Sequence, residues 1–208
     1  MAASCPQCGY SKDETGEPSG FFEIDQFPFA RNFETAWPKI REELEGLDPA
    51  VLPIHRNLPH EAYVLLLKSN NGWTPSWQVE SDEANRDWLT YGLCFRGIFP
   101  DEAAAKFPFT AGLIEQLGPA VIVCAFSLMR SRSFIAPHRH HRLGGDLLTY
   151  HLGLKVERGF SFLNVAGKFA EEEEGKSVIF DGSRTHFAMN MSASDRVILY
   201  LEFDRSKL

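Results

Sequence analysis

The sequence predicts a mainly β domain, a barrel or sandwich of short strands with a few helices ahead of it. Three observations carry that prediction. Beyond Gly118, apolar segments of four to ten residues alternate with short polar connections, the pattern of closely spaced strands in an all-β barrel or sandwich. Helical periodicity is confined to the part of the chain before Gly118. The 208 residues, 44% hydrophobic and including 17 Phe, suffice for one packed domain.

Residues 1–20 hold Cys5-Pro6-Gln7-Cys8-Gly9 and a polar stretch rich in Gly, Ser, Asp and Glu. They read as a flexible lead-in to a single domain of residues 21–208, with a barrel core at about 119–205. The Cys5/Cys8 unit is half of a zinc ribbon, but structural zinc wants four ligands and no second CxxC follows. Zinc shared across a dimer and a redox pair are the alternatives.

The segment FFEIDQFPFA from Phe21 is short and apolar and predicts a strand or extended piece. Trp37, Ile40, Leu44 and Leu47 then recur at spacings of three and four, an amphipathic helix over Phe33–Leu47. Pro38 would sit in its first turn, where a missing N–H costs little, and Gly46 with Asp48-Pro49 would end it. Ala62–Lys68 (AYVLLLK) predicts a short strand, and Asp82–Leu89 a loop or short helix. AGLIEQLG predicts a short helix with Thr110 as N-cap and Gly118 as stop.

Strands are predicted at Val121–Met129, Leu147–Val156, Gly159–Val165, Ser177–Phe180, Thr185–Asn190 and Arg196–Phe203. The acidic run Glu171–Glu174 between two of them reads as a solvated hairpin tip.

A net charge of -7 and a pI near 5.5 argue against nucleic acid or an anionic membrane as main partner. The first residues contain no apolar run of signal-peptide length. The longest such run, Ala120–Met129, is about half a membrane span, so a cytoplasmic setting is expected. Four cysteines are too few and too scattered for a disulfide framework.

Of seven histidines, five (His138, His140, His141, His151, His186) fall among the strands. A lone histidine in a strand is more often a satisfied core or surface residue than a ligand, so the weight rests on the combination. His138 follows a strand and a proline, His186 opens a strand after the turn at Asp181–Ser183, and Arg196 opens the next strand. Two imidazoles suit a borderline divalent metal with open positions, and a buried guanidinium offers a fork matched to a carboxylate. In such sites the usual third ligand is a carboxylate two residues after the first histidine; here that position is His140. His140 either completes a three-histidine site or faces solvent in a basic loop with Arg139, His141 and Arg142.

The segments FSLMRSRSFIAPH (126–138), HLGL (151–154) and EEGKSVIFDGSRTH (173–186), with the strand at Arg196, together resemble the aspartyl/asparaginyl β-hydroxylase family. Weaker similarity in FPFA, WPKIREEL and FPFTAGLIEQL extends it over nearly everything after residue 20. The resemblance implies a double-stranded β-helix (jelly-roll, cupin-like) barrel with flanking N-terminal helices. It implies Fe(II), 2-oxoglutarate and O2 as reactants, with 2-oxoglutarate oxidatively decarboxylated to succinate while an unactivated C–H bond is hydroxylated. The expected substrate is the β-carbon of an Asp/Asn-type residue in a peptide or a small molecule, possessing an acidic group that the basic loop would attract.

By the same resemblance His138 and His186 are the metal ligands, and Arg196 pairs with the far carboxylate of 2-oxoglutarate. Ser127 and His151 help hold that co-substrate. An arginine that the family carries two residues before the HLGL histidine is Thr149 here. On this reading Arg196→Ala would raise the 2-oxoglutarate requirement and leave the fold intact. The alternative is a non-catalytic cupin-like barrel that binds a metal or ligand.

Overall fold

The computed structural model describes residues 10–12, 18–47, 50–69, 71–78 and 80–208. In chain order its strands begin with β1 (Tyr10–Lys12) and β2 (Pro18–Phe22); after helices α1 (Pro28–Glu45) and α2 (His60–Ser69) come β3 (Thr74–Ser76) and β4 (Asn85–Phe95). Helices α3 (Asp101–Lys106) and α4 (Pro108–Glu115) lead into β5 (Val121–Met129), β6 (Ser133–His138) and β7 (Leu147–Lys155). The chain continues through β8 (Ser161–Val165), β9 (Lys168–Glu171), β10 (Ser177–Phe180), β11 (His186–Asn190) and β12 (Arg196–Asp204).

From β5 onward the chain passes back and forth between two sheets. One has eight strands in the order β1-β2-β10-β7-β12-β5-β4-β3, the other four in the order β6-β11-β8-β9. All pairings between these strands are antiparallel. This is a mainly β, double-stranded β-helix barrel with few helices. Met129, Ile135, Leu163, Val165, Phe180 and Ala188, drawn from both sheets, pack together between them. The other face of the large sheet carries the larger core, against the helices.

Helix α1 covers that outer face because Phe29, Ala30, Phe33, Ile40 and Leu44 lie on one buried stripe. Its aromatic rings meet those of the sheet edge to face, Phe33 at 5.8 Å from Tyr150 and Phe29 at 5.2 Å from Phe203. Burying each such ring contributes about 1.5–3 kcal/mol. No helix among the described residues is long and apolar enough to cross a membrane.

Several expectations need correction. α1 starts at Pro28, which fits the first helical position, so Pro28-Phe29-Ala30 belong to the helix and Phe27 is its N-cap. Pro38 lies in its interior, where the Glu34 carbonyl lacks the usual donor. Ala62–Lys68 is not a strand but part of α2: a short apolar run has no decisive period. Gly92 lets the helix backbone lie directly on β4, where a Cβ would fall 2.4 Å from the Leu67 carbonyl oxygen. Residues 85–89, expected as loop or helix, open strand β4, most of whose first residues are not buried.

Thr110 is no N-cap, because α4 begins at Pro108. Glu43 of α1 serves that end instead, accepting from the backbone N–H groups of Phe109 at 2.7 Å and Thr110 at 2.9 Å. β2 starts at Pro18 and pairs with β10, so the boundary drawn at residue 20 cuts through a strand. Cys5 and Cys8 lie outside the described residues. The run Glu171–Glu174 is not a solvated tip: Glu172 is buried, and the backbone at Glu173 lies flat on Gly153, where a Cβ would clash at 2.0 Å.

Candidate metal centre

His138 ends β6 and His186 begins β11, and the antiparallel register places them directly opposite each other. Their ring centroids are 4.3 Å apart. Each ring is fixed by a carbonyl two residues earlier: His138 Nδ1 donates to Ala136 O at 2.8 Å and His186 Nδ1 to Arg184 O at 2.8 Å. A carbonyl only accepts, so Nδ1 carries the hydrogen and Nε2 keeps its lone pair. That is the form in which imidazole binds a metal. Burial lowers the His186 pKa to about 3, helped by the neighbouring His138, and burial lowers that of His138 as well. Both rings are held neutral and ready to ligate.

His140 joins them. Its ring centroid lies 5.3 Å from that of His138 and 5.2 Å from that of His186, and one ring nitrogen from each of the three falls within 4.8 Å of the others. The loop after β6 turns it inward through a hydrogen bond from the His140 N–H to Gly182 O at 2.9 Å. His140 Nδ1 sits 3.1 Å from Glu202 Oε1, which also accepts from the Tyr200 hydroxyl at 2.6 Å. Burial would raise the Glu202 carboxyl, but His140 together with the Tyr200 hydroxyl and His60 outweighs it and the net shift is downward. A carboxylate holding the far nitrogen of an imidazole is the usual support of a metal-binding histidine. Of the two readings of His140, the solvent-facing one does not match this geometry.

Around this cluster the interior face of the large sheet supplies a second constellation. Arg196 at the start of β12 is buried, and Glu172, in the connection after β9, is its partner. Arg196 donates through Nε to Glu172 Oε2 at 2.9 Å and through Nη2 to both carboxylate oxygens. His151 on β7 adds a third contact, Nδ1 to Glu172 Oε1 at 2.8 Å. Burial pushes the Glu172 carboxyl up, yet the charge of Arg196 and the hydrogen bond from His151 prevail and hold it down at about 2. His151 itself is lowered by burial, against the pull of Glu172. Phe180 links the two groups, its ring 5.0 Å from His151 and 5.3 Å from His186.

Ser127 lies on β5 opposite Ile198 and accepts from Trp88 Nε1 at 3.0 Å. The Trp88 ring stands 5.8 Å from His138. Thus His138 and His186 come together, Arg196 and His151 meet through Glu172, and Ser127 is tied to the histidine cluster by way of Trp88. Thr149 is buried on β7 opposite Glu202. A small hollow lined by Trp77, Gln78, Trp88 and Ile135 adjoins His138.

Glu172, Glu202, Tyr200 and Trp88 escaped the reading of the sequence. Glu202 and Tyr200 carried a usable signal, since they share the period-two row of Arg196 on β12. With Glu172 in place, Arg196→Ala would strand a buried carboxylate, so it cannot be a substitution without cost to the fold.

A family model described as Aspartyl/Asparaginyl beta-hydroxylase matches residues 34–206. A Rhizobium tropici protein named as an ornithine lipid ester-linked acyl 2-hydroxylase is 26% identical over 186 residues, 88% of this chain and 59% of the relative. The chain therefore spans less than two thirds of that relative's length. Among solved structures, a 2OG-Fe(II) oxygenase family oxidoreductase from Burkholderia pseudomallei overlaps 76% of this chain and 97% of its own, at 11% identity and TM-score 0.43. A Cupin_2 domain of an Enterobacter cloacae regulator overlaps 57% and 97%, at 11% identity and TM-score 0.40.

Proposed function

Because the chain belongs to the aspartyl/asparaginyl β-hydroxylase family, we propose that it is an iron(II)- and 2-oxoglutarate-dependent dioxygenase that hydroxylates an unactivated C–H bond. The observation that carries the reading is the convergence of His138, His186 and His140, with the first two pinned through Nδ1 so that Nε2 is free. A tightly grouped set of imidazole nitrogens suits iron(II), and Arg196 has the fork and the burial that a carboxylate requires. When bound, the metal with O2 and 2-oxoglutarate supplies the oxidation: the co-substrate loses carbon dioxide to become succinate, and one oxygen atom goes to the substrate carbon.

The residues of the chain do the positioning. His138 and His186 hold the metal, and His140, oriented by Glu202, is the third ligand. Arg196 and His151 receive the co-substrate, with Ser127 nearby on the neighbouring strand. Met129, Ile135 and Phe180 exclude water from the interior.

The substrate proposed is the β-carbon of an Asp/Asn-type residue in a peptide or small molecule. Arg139, whose Nε donates to Thr185 Oγ1 at 2.7 Å, stands with exposed His141 and Arg142 beside the metal cluster and suits an acidic group. A second reading, hydroxylation of an acyl chain, takes its cue from the name of the Rhizobium relative. The proposal places the reaction in the cytoplasm.

The test is an anaerobic titration of iron(II) and 2-oxoglutarate into the metal-free protein, watching for the visible metal-to-ligand charge-transfer band. The band is expected in the wild type at high 2-oxoglutarate and is expected to vanish in His186→Ala. Stoichiometric metal binding without any band would favour the non-catalytic cupin-like barrel.

A further inference from the structure

We propose that Glu172 sets the affinity for the co-substrate, by occupying with its own carboxylate the seat on Arg196 and His151 that 2-oxoglutarate must take. This rests on the reading of Arg196 and His151 as the co-substrate's partners. Both of those residues are satisfied by the same group: Nε and Nη2 of Arg196 and Nδ1 of His151 all bond to Glu172. The seat is built for a carboxylate, and the chain supplies one.

Two facts give the contact its weight. The Arg196 and Glu172 side chains are 1% and 2% exposed, so water offers neither an alternative partner. A buried pair of this kind contributes little net stability for its desolvation cost, which makes a purely structural role a poor explanation of its placement beside the metal cluster. A second carboxylate arriving on the same guanidinium would put two negative charges on one positive group in a site of low dielectric. Incoming 2-oxoglutarate must therefore displace Glu172.

The connection that carries Glu172 allows this. The Glu172 backbone stays anchored through its N–H to Ser161 O at 2.9 Å, and Gly175 N–H bonds Gly153 O at 2.9 Å. Glu171 and Glu174 on either side are exposed. With these anchors in place, only the Glu172 side chain has to rotate for Arg196 to be released. The occupant of the seat is thus decided by competition between an internal carboxylate and a free one.

The experiment is the anaerobic charge-transfer titration with iron(II)-loaded wild type, Glu172→Gln, Glu172→Ala and, as a control on an outward neighbour, Glu173→Gln. The expected result is 2-oxoglutarate binding at least tenfold tighter in both Glu172 variants and unchanged in Glu173→Gln. Thermal unfolding supplies a second readout: Glu172→Ala should lose stability and regain it with added 2-oxoglutarate or succinate, a shift the wild type shows only at much higher concentration. Glu172 variants that bind 2-oxoglutarate no tighter than the wild type, and are not stabilised by dicarboxylates, would overturn the role of Glu172 and leave the dioxygenase reading standing. Metal binding in every protein with 2-oxoglutarate binding in none would overturn both.

Discussion

On β12, Val197, Leu199, Leu201 and Phe203 pack into the core beneath the helices, whereas Arg196, Tyr200 and Glu202, each one residue away, face the barrel interior and its network of carboxylates and imidazoles. The two faces of one sheet thus share backbone, register and hydrogen bonds and differ in what they bury. The helix face is a continuous aromatic and aliphatic core, in which Phe27, Phe29, Phe33, Tyr150 and Phe203 are linked by edge-to-face and tilted ring contacts. The interior face has a small apolar cluster and a concentration of buried polar groups. Burying charge costs free energy even when paired. The comparison shows where the compensation comes from: apolar burial on one side of the strands holds rigid a polar constellation on the other.

Substitutions on the two faces should therefore fail in different ways. Phe203→Ala removes a ring from the outer core and is expected to cost about 3–5 kcal/mol, with iron(II) affinity of the folded protein unchanged. Arg196→Ala is expected to cost a similar amount, roughly 3–5 kcal/mol, by leaving Glu172 charged and unpaired. Denaturant unfolding measures both, and the double variant Glu172→Ala/Arg196→Ala sharpens the contrast. It should recover a large part of the Arg196→Ala loss, because the stranded charge is gone. A double variant as unstable as the sum of the singles would contradict the assignment.

Acid should attack the interior face first. The folded-state pKa of His186 lies at about 3, below its ordinary 6.5. Below pH 6.5 the unfolded chain accordingly takes up a proton that the folded chain refuses. Stability of the metal-free protein is then full above pH 6.5 and falls as pH drops from there towards 3, by roughly 2–3 kcal/mol at pH 4.5. Glu172, held at about 2, adds its own loss only below about 4.5. Melting temperature against pH is the measurement, and His186→Gln should flatten the part of the curve between 6.5 and 4.5.

The smallest effect concerns the third imidazole. Glu202→Gln leaves His140 in place with a weaker partner and is expected to lower iron(II) affinity by about 10–100-fold, with little change in unfolding free energy. Equal affinity in Glu202→Gln and wild type would remove His140 from the ligand set.

Much of this arrangement was legible along the chain. Most strands from β5 onward announce themselves because apolar alternation and short polar connections are local properties; β6 and β9, short and mostly not buried, do not. His138, His186 and Arg196 stand out as polar residues at strand ends. AYVLLLK predicts a strand yet forms part of helix α2, because it lacks a decisive period and because Gly92, 25 residues beyond Leu67, admits the helix backbone. The Thr110 cap fails for a similar reason: the cap on α4 comes from Glu43, 67 residues earlier than Thr110.

The acidic run illustrates the division most sharply. By itself the sequence determined that an acidic run of four glutamates stands between predicted strands of a mainly β domain, since composition and alternation act within a few residues. Which of the four would turn inward was decided only in the folded barrel. Glu172 reaches Arg196 because β9 pairs with β8, β10 pairs with β7, and the backbone between them rests on Gly153. Those pairings join residues distant in the chain, and a shift of one residue in a strand reverses the direction of every side chain on it. The same holds for His140, placed by bonds to Gly182 and Glu202. Residue type and spacing specify which groups are present; tertiary register specifies which of them meet.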